Sequence, residues 1–154
     1  NEKTEMKPID IRNALEAGIA LNHQEIEHKN IVLVNEVSPT LLLGNVNYLM
    51  IILRNILSNA VKFTPASGVI RLQTIEDPEY TGVLIEDSGA GIAPEKLKSL
   101  FVTVQDSEEG TSGEKGSGGG RVLCKDLVDR LRGKIEITST LNQGTSVKLL
   151  FLKA

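Results

Sequence analysis

The sequence predicts an α/β two-layer sandwich, a mixed sheet with helices on one face. Three observations point there. Helical stretches and hairpins are intermixed, without the regular strand–helix–strand alternation of a doubly wound sheet. The stretch from Asn45 to Thr64 repeats apolar residues at helical spacing, with Leu53, Ile56, Leu57, Ala60 and Val61 on one side. Two pairs of strand-like segments each close on turn-forming residues, Asp77-Pro78 in the first and Asn142-Gln143-Gly144 in the second. At 154 residues the chain suits a single domain, 1–154, with a sizeable core.

The elements follow in order. Ile9 to Ile11 predicts a short strand, and Arg12 to Lys29 a helix with Leu15, Ile19 and Ile26 roughly on one side. That helix holds both histidines, His23 and His28. Neither has the neighbours of a metal site or a catalytic base, so both read as surface residues. Ile31 to Val37 is rich in β-branched residues and reads as a strand, broken by Ser38-Pro39. Asn45 caps the long helix, and Thr64-Pro65 ends it. Gly68 to Ile75 and Tyr80 to Glu86 form the first pair of strands. A glycine-rich turn, Asp87 to Ile92, then leads into a helix from Pro94 to Phe101. Gln105 to Gly120, QDSEEGTSGEKGSGGG, predicts a flexible loop. Arg121 to Arg132 predicts a helix broken by Gly133, and Lys134 to Thr140 with Thr145 to Leu152 the closing hairpin. The chain begins at Asn1 and stops in mid-flow at Ala154, so it reads as a domain taken from something longer.

Composition excludes several function classes. A net charge of -3 argues against a nucleic-acid surface, and the lack of Trp with only 3% aromatics argues against base-stacking platforms. No apolar run has the length of a membrane span, and no signal peptide is visible. The one cysteine, Cys124, sits among Val122, Leu123, Leu127 and Val128. It reads as a buried thiol in a reducing compartment rather than a reactive one.

Four features carry candidate chemistry. Asn55, Asn59 and Lys62 fall on one stripe of the long helix. They either face a polar ligand or mark the solvated side. An Asn carbonyl suits a hard cation such as Mg²⁺, and Lys offers a point charge for phosphate. Asp87-x-Gly89-x-Gly91 ends a strand. Its glycines allow close approach of backbone to a ligand, and its Asp can accept from an exocyclic amine; the plainer reading is a tight turn. Gly116-Ser117-Gly118-Gly119-Gly120 runs into a helix and reads as an anion site or as a linker. Gly144-Thr145 is weak alone. No P-loop is present, and Pro94 stands where a dinucleotide fingerprint needs Gly.

The order and spacing of these features together are specific. The chain resembles, over nearly its full length, the ATP-binding catalytic domain of sensor histidine kinases. That domain belongs to the superfamily that also holds gyrase, heat-shock chaperone ATPases and MutL. N-I-L-S-N-A-V-K-F-T resembles the asparagine box, D-S-G-A-G-I the first glycine box, and L-F-V-T-V the phenylalanine box, with Val104 where a second Phe is usual. G-S-G-G-G-R resembles the second glycine box, with Gly119 and Arg121 where Leu is common. R-G-K-I-E-I and N-Q-G-T-S-V-K-L resemble the closing hairpin. The resemblance implies a Bergerat-type fold, with a mixed, mostly antiparallel sheet covered on one face by helices and a flexible ATP lid at 102–118. It implies that Asn59 binds the Mg²⁺ that bridges the phosphates, with Asn55 beside it. Lys62 would approach the phosphates, and Phe63 would lie against the adenine. Asp87 would accept the adenine amino hydrogen bond, supported by Thr145, while Gly89, Gly91 and Ile92 shape the base pocket. Gly116, Ser117, Gly118, Gly119 and Gly120 would form the phosphate loop, Gly118 and Gly120 turning their N–H groups towards the triphosphate.

In the hydrolysing members a Glu four residues before the metal-binding Asn activates water. Here that position is Asn55, which cannot act as a general base. The resemblance therefore implies transfer of the γ-phosphoryl group of Mg-ATP to a histidine, with Asn55 and Lys62 at the catalytic positions. Neither His23 nor His28 has the expected acceptor setting, so the acceptor is expected upstream, on a separate dimerisation domain of the same protein. The implied partners are ATP or ADP, that phosphoacceptor domain and a response regulator receiver domain, with no nucleic acid. The implied setting is the cytoplasmic part of a membrane-anchored bacterial sensor kinase. The alternative is a degenerate nucleotide-binding or docking module without kinase activity.

Overall fold

A computed structural model describes residues 5–89 and 124–154. Its longest helix is α3, Val46–Phe63. The Asn45 side chain accepts from the Tyr48 amide at 3.1 Å, which satisfies one of the free N–H groups at the helix start. Leu49, Ile52, Leu53, Ile56, Leu57, Ala60 and Val61 form its buried face, the 3–4 spacing that the sequence displays. At the other end the Thr64 hydroxyl donates to the Ala60 carbonyl at 2.7 Å, and Thr64 itself turns extended ahead of Pro65.

This helix lies over a five-stranded sheet of order β2-β4-β5-β7-β6. The strands are β2 (Val32–Glu36), β4 (Val69–Glu76), β5 (Tyr80–Asp87), β6 (Lys134–Thr140) and β7 (Gly144–Leu152). β2 runs parallel to β4, and all other neighbours are antiparallel. Alternation puts one face of the sheet in the core: Ile70 and Leu72, Val83 and Ile85, Val147, Leu149 and Phe151 are all buried, while Arg71 and Lys148 between them are exposed. α1 (Ile11–Leu21) and α4 (Cys124–Arg130) complete the helical layer, burying Ile11 and Leu15 from one and Leu127 and Val128 from the other. The mixed, mostly antiparallel two-layer sandwich expected from the sequence is therefore the fold.

The structure corrects three boundaries. The helix predicted from Arg12 to Lys29 is two helices, α1 and α2 (His23–His28), broken at Asn22. There the Asn22 amide donates to the Gly18 carbonyl at 3.1 Å, a side-chain bond that competes with the helix ladder. The first strand, β1, is Lys7–Asp10 and stops before Ile11, because Asp10 caps α1 by accepting from the Arg12 amide at 2.9 Å. β3 (Leu41–Gly44), which pairs antiparallel with β1 in a separate two-stranded sheet, was not anticipated. Its Leu-Leu-Leu-Gly run has neither alternation nor a β-branched residue to announce it. The other predicted strands are present with ends within a residue or so. His23 and His28 are both exposed, as expected. The helix predicted at 94–101, the loop at 105–120 and the first residues of the helix predicted from Arg121 lie outside the described residues.

Candidate functional site

At one end of the sheet the core face turns polar. Asp87 is the last residue of β5, Thr145 is its register partner on β7, and Ser139 is the partner of Thr145 on β6. Three neighbouring strands thus place a carboxylate and two hydroxyls in one row, where the rows below hold Ile85, Val147 and Ile137. The Thr145 amide donates to Asp87 Oδ1 at 3.3 Å and the Gly89 amide donates to the same oxygen at 2.8 Å. The Ser139 and Thr145 hydroxyls are 2.8 Å apart. Among the described residues, Oδ2 of Asp87 carries no hydrogen bond. Burial pushes the Asp87 carboxyl above its ordinary value, and the Gly89 and Thr145 amides pull it partly back.

Two glycines hold this carboxylate. A Cβ at Gly89 would run into the Phe63 carbonyl oxygen and come within 2.8 Å of Asp87 Oδ1. Gly144, at φ +119, takes a backbone conformation closed to other residues, and a Cβ there would run into the Asp87 carbonyl. Gly89 is thus required by packing against the end of α3, which a tight turn alone does not require.

Between this polar row and α3 lies a narrow cleft of about 30 Å³. Asn55, Ile56, Asn59, Ala60 and Phe63 line it from the helix, and Ile85, Ile135, Ile137 and Val147 from the sheet. Its walls are apolar, with a hydrogen-bonding row at one end and two amides on one wall. Cys124 closes one side. It is 3% exposed, and its sulfur accepts from the Asn55 amide at 3.4 Å. Burial raises the thiol above its ordinary value, and the Asn55 bond opposes the rise.

The predicted site residues are only partly brought together. Asn55, Asn59, Phe63, Asp87 and Thr145 share the cleft. Lys62 does not. It is exposed, 5.6 Å from the Phe63 ring, in an adjoining open hollow that it shares with Gly89. The polar stripe of α3 is therefore split, with the two asparagines half-buried in the cleft and the lysine at its rim. Gly91, Ile92, Gly116, Ser117, Gly118, Gly119 and Gly120 lie outside the described residues. Sequence reasoning missed Ser139, the walls Ile135, Ile137 and Val147, and the contact of Cys124 with Asn55. The alternation of β6 and β7 marks those apolar residues as one face, but only their register shows what they face.

Comparison with known proteins gives the family. Residues 44–154 match the family described as histidine kinase-, DNA gyrase B-, and HSP90-like ATPase. The chain belongs to that family, and within it to the ATP-binding catalytic domains of sensor histidine kinases. It is 40% identical over 102 residues to the autoinducer 2 sensor kinase/phosphatase LuxQ of Vibrio parahaemolyticus, a match covering 62% of this chain and 12% of LuxQ. It is 27% identical over 146 residues to the sensor histidine kinase GacS of Pseudomonas protegens, covering 90% of this chain and 16% of GacS. The matched regions are thus less than a fifth of the length of these relatives. The catalytic domain of histidine kinase ThkA superposes with a TM-score of 0.75 at 20% identity, over 97% of this chain and 96% of that one. Full-length ShkA, solved with AMPPNP, gives 0.77 at 24% identity, over 99% of this chain and 32% of that one. Among the described residues no helix is long and apolar enough to cross a membrane.

Proposed function

We propose that this domain binds Mg-ATP with its adenine in the cleft and supplies the γ-phosphoryl group to a histidine on a separate dimerisation domain of the same protein. The observation that carries the reading is the Asp87 carboxylate at the polar end of an apolar slot, opposite the amides of Asn55 and Asn59. With Oδ1 already accepting two amides, Oδ2 is available to the adenine amino group, and the Thr145 hydroxyl lies in the same row. Phe63 and the isoleucines bound the base, and Lys62 at the rim stands where a phosphate tail would leave the slot.

The residues fit Mg²⁺ only as a shared ion. Among the described residues no three His, Cys, Asp or Glu side chains cluster to hold a metal alone. The Asn59 carbonyl would supply one oxygen, and the phosphates and water the rest. Mg²⁺ so bound neutralises phosphate charge. In the transfer, the acceptor imidazole nitrogen forms a bond to the γ-phosphorus as the bond from phosphorus to the bridging oxygen breaks, and ADP leaves with that electron pair. An unprotonated imidazole nitrogen attacks without first losing a proton, so Asn55 need not be a base; its part is to position. A receiver domain would then take the phosphoryl group from the histidine, in a cytoplasmic, membrane-anchored sensor.

The test combines this chain with the dimerisation domain and γ-labelled ATP. Alkali-stable, acid-labile label should appear on the dimerisation domain and not on the isolated chain. Nucleotide binding without any transfer would leave the docking-module reading, and label on His23 or His28 would overturn the separate acceptor.

A further inference from the structure

The end of α3 presents an unusual backbone problem. The last regular helix bond is the Thr64 amide to the Ala60 carbonyl, at 3.1 Å. The next carbonyl, that of Val61, would ordinarily accept from residue 65, but residue 65 is Pro and has no N–H. Lys29, at the end of α2, supplies the missing donor. Its ammonium donates to the Val61 carbonyl at 2.7 Å, to that of Lys62 at 3.1 Å and to that of Thr64 at 2.8 Å. The Lys29 carbonyl in turn accepts from the Ser67 amide at 2.7 Å. The carbonyl skipped in this set, that of Phe63, is the one against which Gly89 packs. A cation against the last carbonyls of a helix also meets the negative end of the helix dipole.

We propose that Lys29 is a positioning residue for the phosphate end of the nucleotide. It rests on the nucleotide reading above. Asp87 and Thr145 are held by strand register, whereas Lys62 and Phe63 are the final two residues of the helix that Lys29 anchors. Loss of the anchor frees the end of α3 and moves Lys62 and Phe63, while the strand register that pairs Asp87 with Thr145 is kept. The consequence is unequal: affinity for the triphosphate, which meets both Lys62 and Phe63, falls more than affinity for the nucleoside, which meets Phe63 alone of the two.

The experiment measures Mg-ATP by calorimetry and adenosine by NMR titration on the native chain, Lys29→Met and Lys29→Arg. Lys29→Met should lose on the order of tenfold or more in Mg-ATP affinity and a smaller factor, about two- to threefold, in adenosine affinity. In its ligand-free spectrum the Phe63 and Thr64 amides should shift while the Thr145 amide stays. Lys29→Arg, which keeps donors and charge, should recover most of the loss. Equal losses for both ligands, or none, would overturn the proposal. So would a loss for Mg-ATP with unmoved Phe63 and Thr64 amides, because Lys29 would then be touching phosphate itself. If Lys29→Met does not fold, Lys29→Gln carries the same comparison. A native chain that binds neither ligand overturns the nucleotide reading and this proposal together, whereas native binding with an unchanged ratio in the variant overturns this proposal alone.

Discussion

The Thr145 amide donates to the carboxylate of Asp87 at 3.3 Å, across the same β5–β7 register in which the two residues are partners. A strand pairing thereby aims a half-buried acid into the cleft. Asp87→Asn keeps an oxygen for the Gly89 and Thr145 amides and turns its amino group towards the base. Adenine nucleotide affinity should fall by about 1–3 kcal/mol, ten- to a hundredfold, measured by calorimetry. Equal affinity would remove Asp87 from the role.

The same substitution has a pH signature. The Asp87 carboxyl is raised above 3.8 mainly by burial, so the folded chain holds that proton more tightly than the unfolded one. Its contribution is therefore most favourable below the unfolded value and is lost as pH rises through the folded value. Asp87→Asn, which never ionises, should be at least as stable as the native chain at neutral pH. Its advantage should shrink as pH falls towards the ordinary carboxylate range. Urea melts at several pH values measure this, and a stability gap that widens on acidification contradicts it.

Cys124 is buried with its thiol raised above 9.0, mainly by desolvation. Iodoacetamide should label the folded chain roughly tenfold or more slowly than the chain in denaturant at the same pH. The rate should still be climbing at pH 9, because the thiolate fraction has not saturated. As Cys124 lines the cleft, ATP should slow labelling further.

Gly144→Ala meets both a positive φ of +119 and the Asp87 carbonyl. Denaturant melts should show a loss of roughly 1–3 kcal/mol from the backbone strain alone. Nucleotide affinity should fall as well, because the turn cannot shift without moving Asp87. Stability lost with affinity intact would separate the turn from the site.

Asn59→Ala should lower Mg-ATP affinity about tenfold and leave adenosine unchanged, and a chelator should remove most of the difference between the two proteins. A difference that survives chelation would take Asn59 off the metal.

The sequence by itself determined the two-layer class, the buried face of α3, both hairpins and the positions of Asp87, Gly89, Asn55 and Asn59. The fold features rest on local chemistry, a helical or alternating period, a cap or a turn residue, and the site positions on the resemblance to the family's boxes. Tertiary structure decided what those signals cannot carry. Asn22 and Asp10 redirect the chain through side-chain bonds, and β3 forms by pairing with β1. Strand register, which has no local signature, sets Ser139 beside Thr145 and Thr145 beside Asp87. The polar stripe of α3 looked uniform in sequence, yet packing against the sheet and Cys124 drew Asn55 and Asn59 into the cleft and left Lys62 at the rim. The anchoring of α3 by Lys29 spans more than thirty residues of chain. Spacing along a chain reports which side chains share a face, and only the packed partner decides what that face meets.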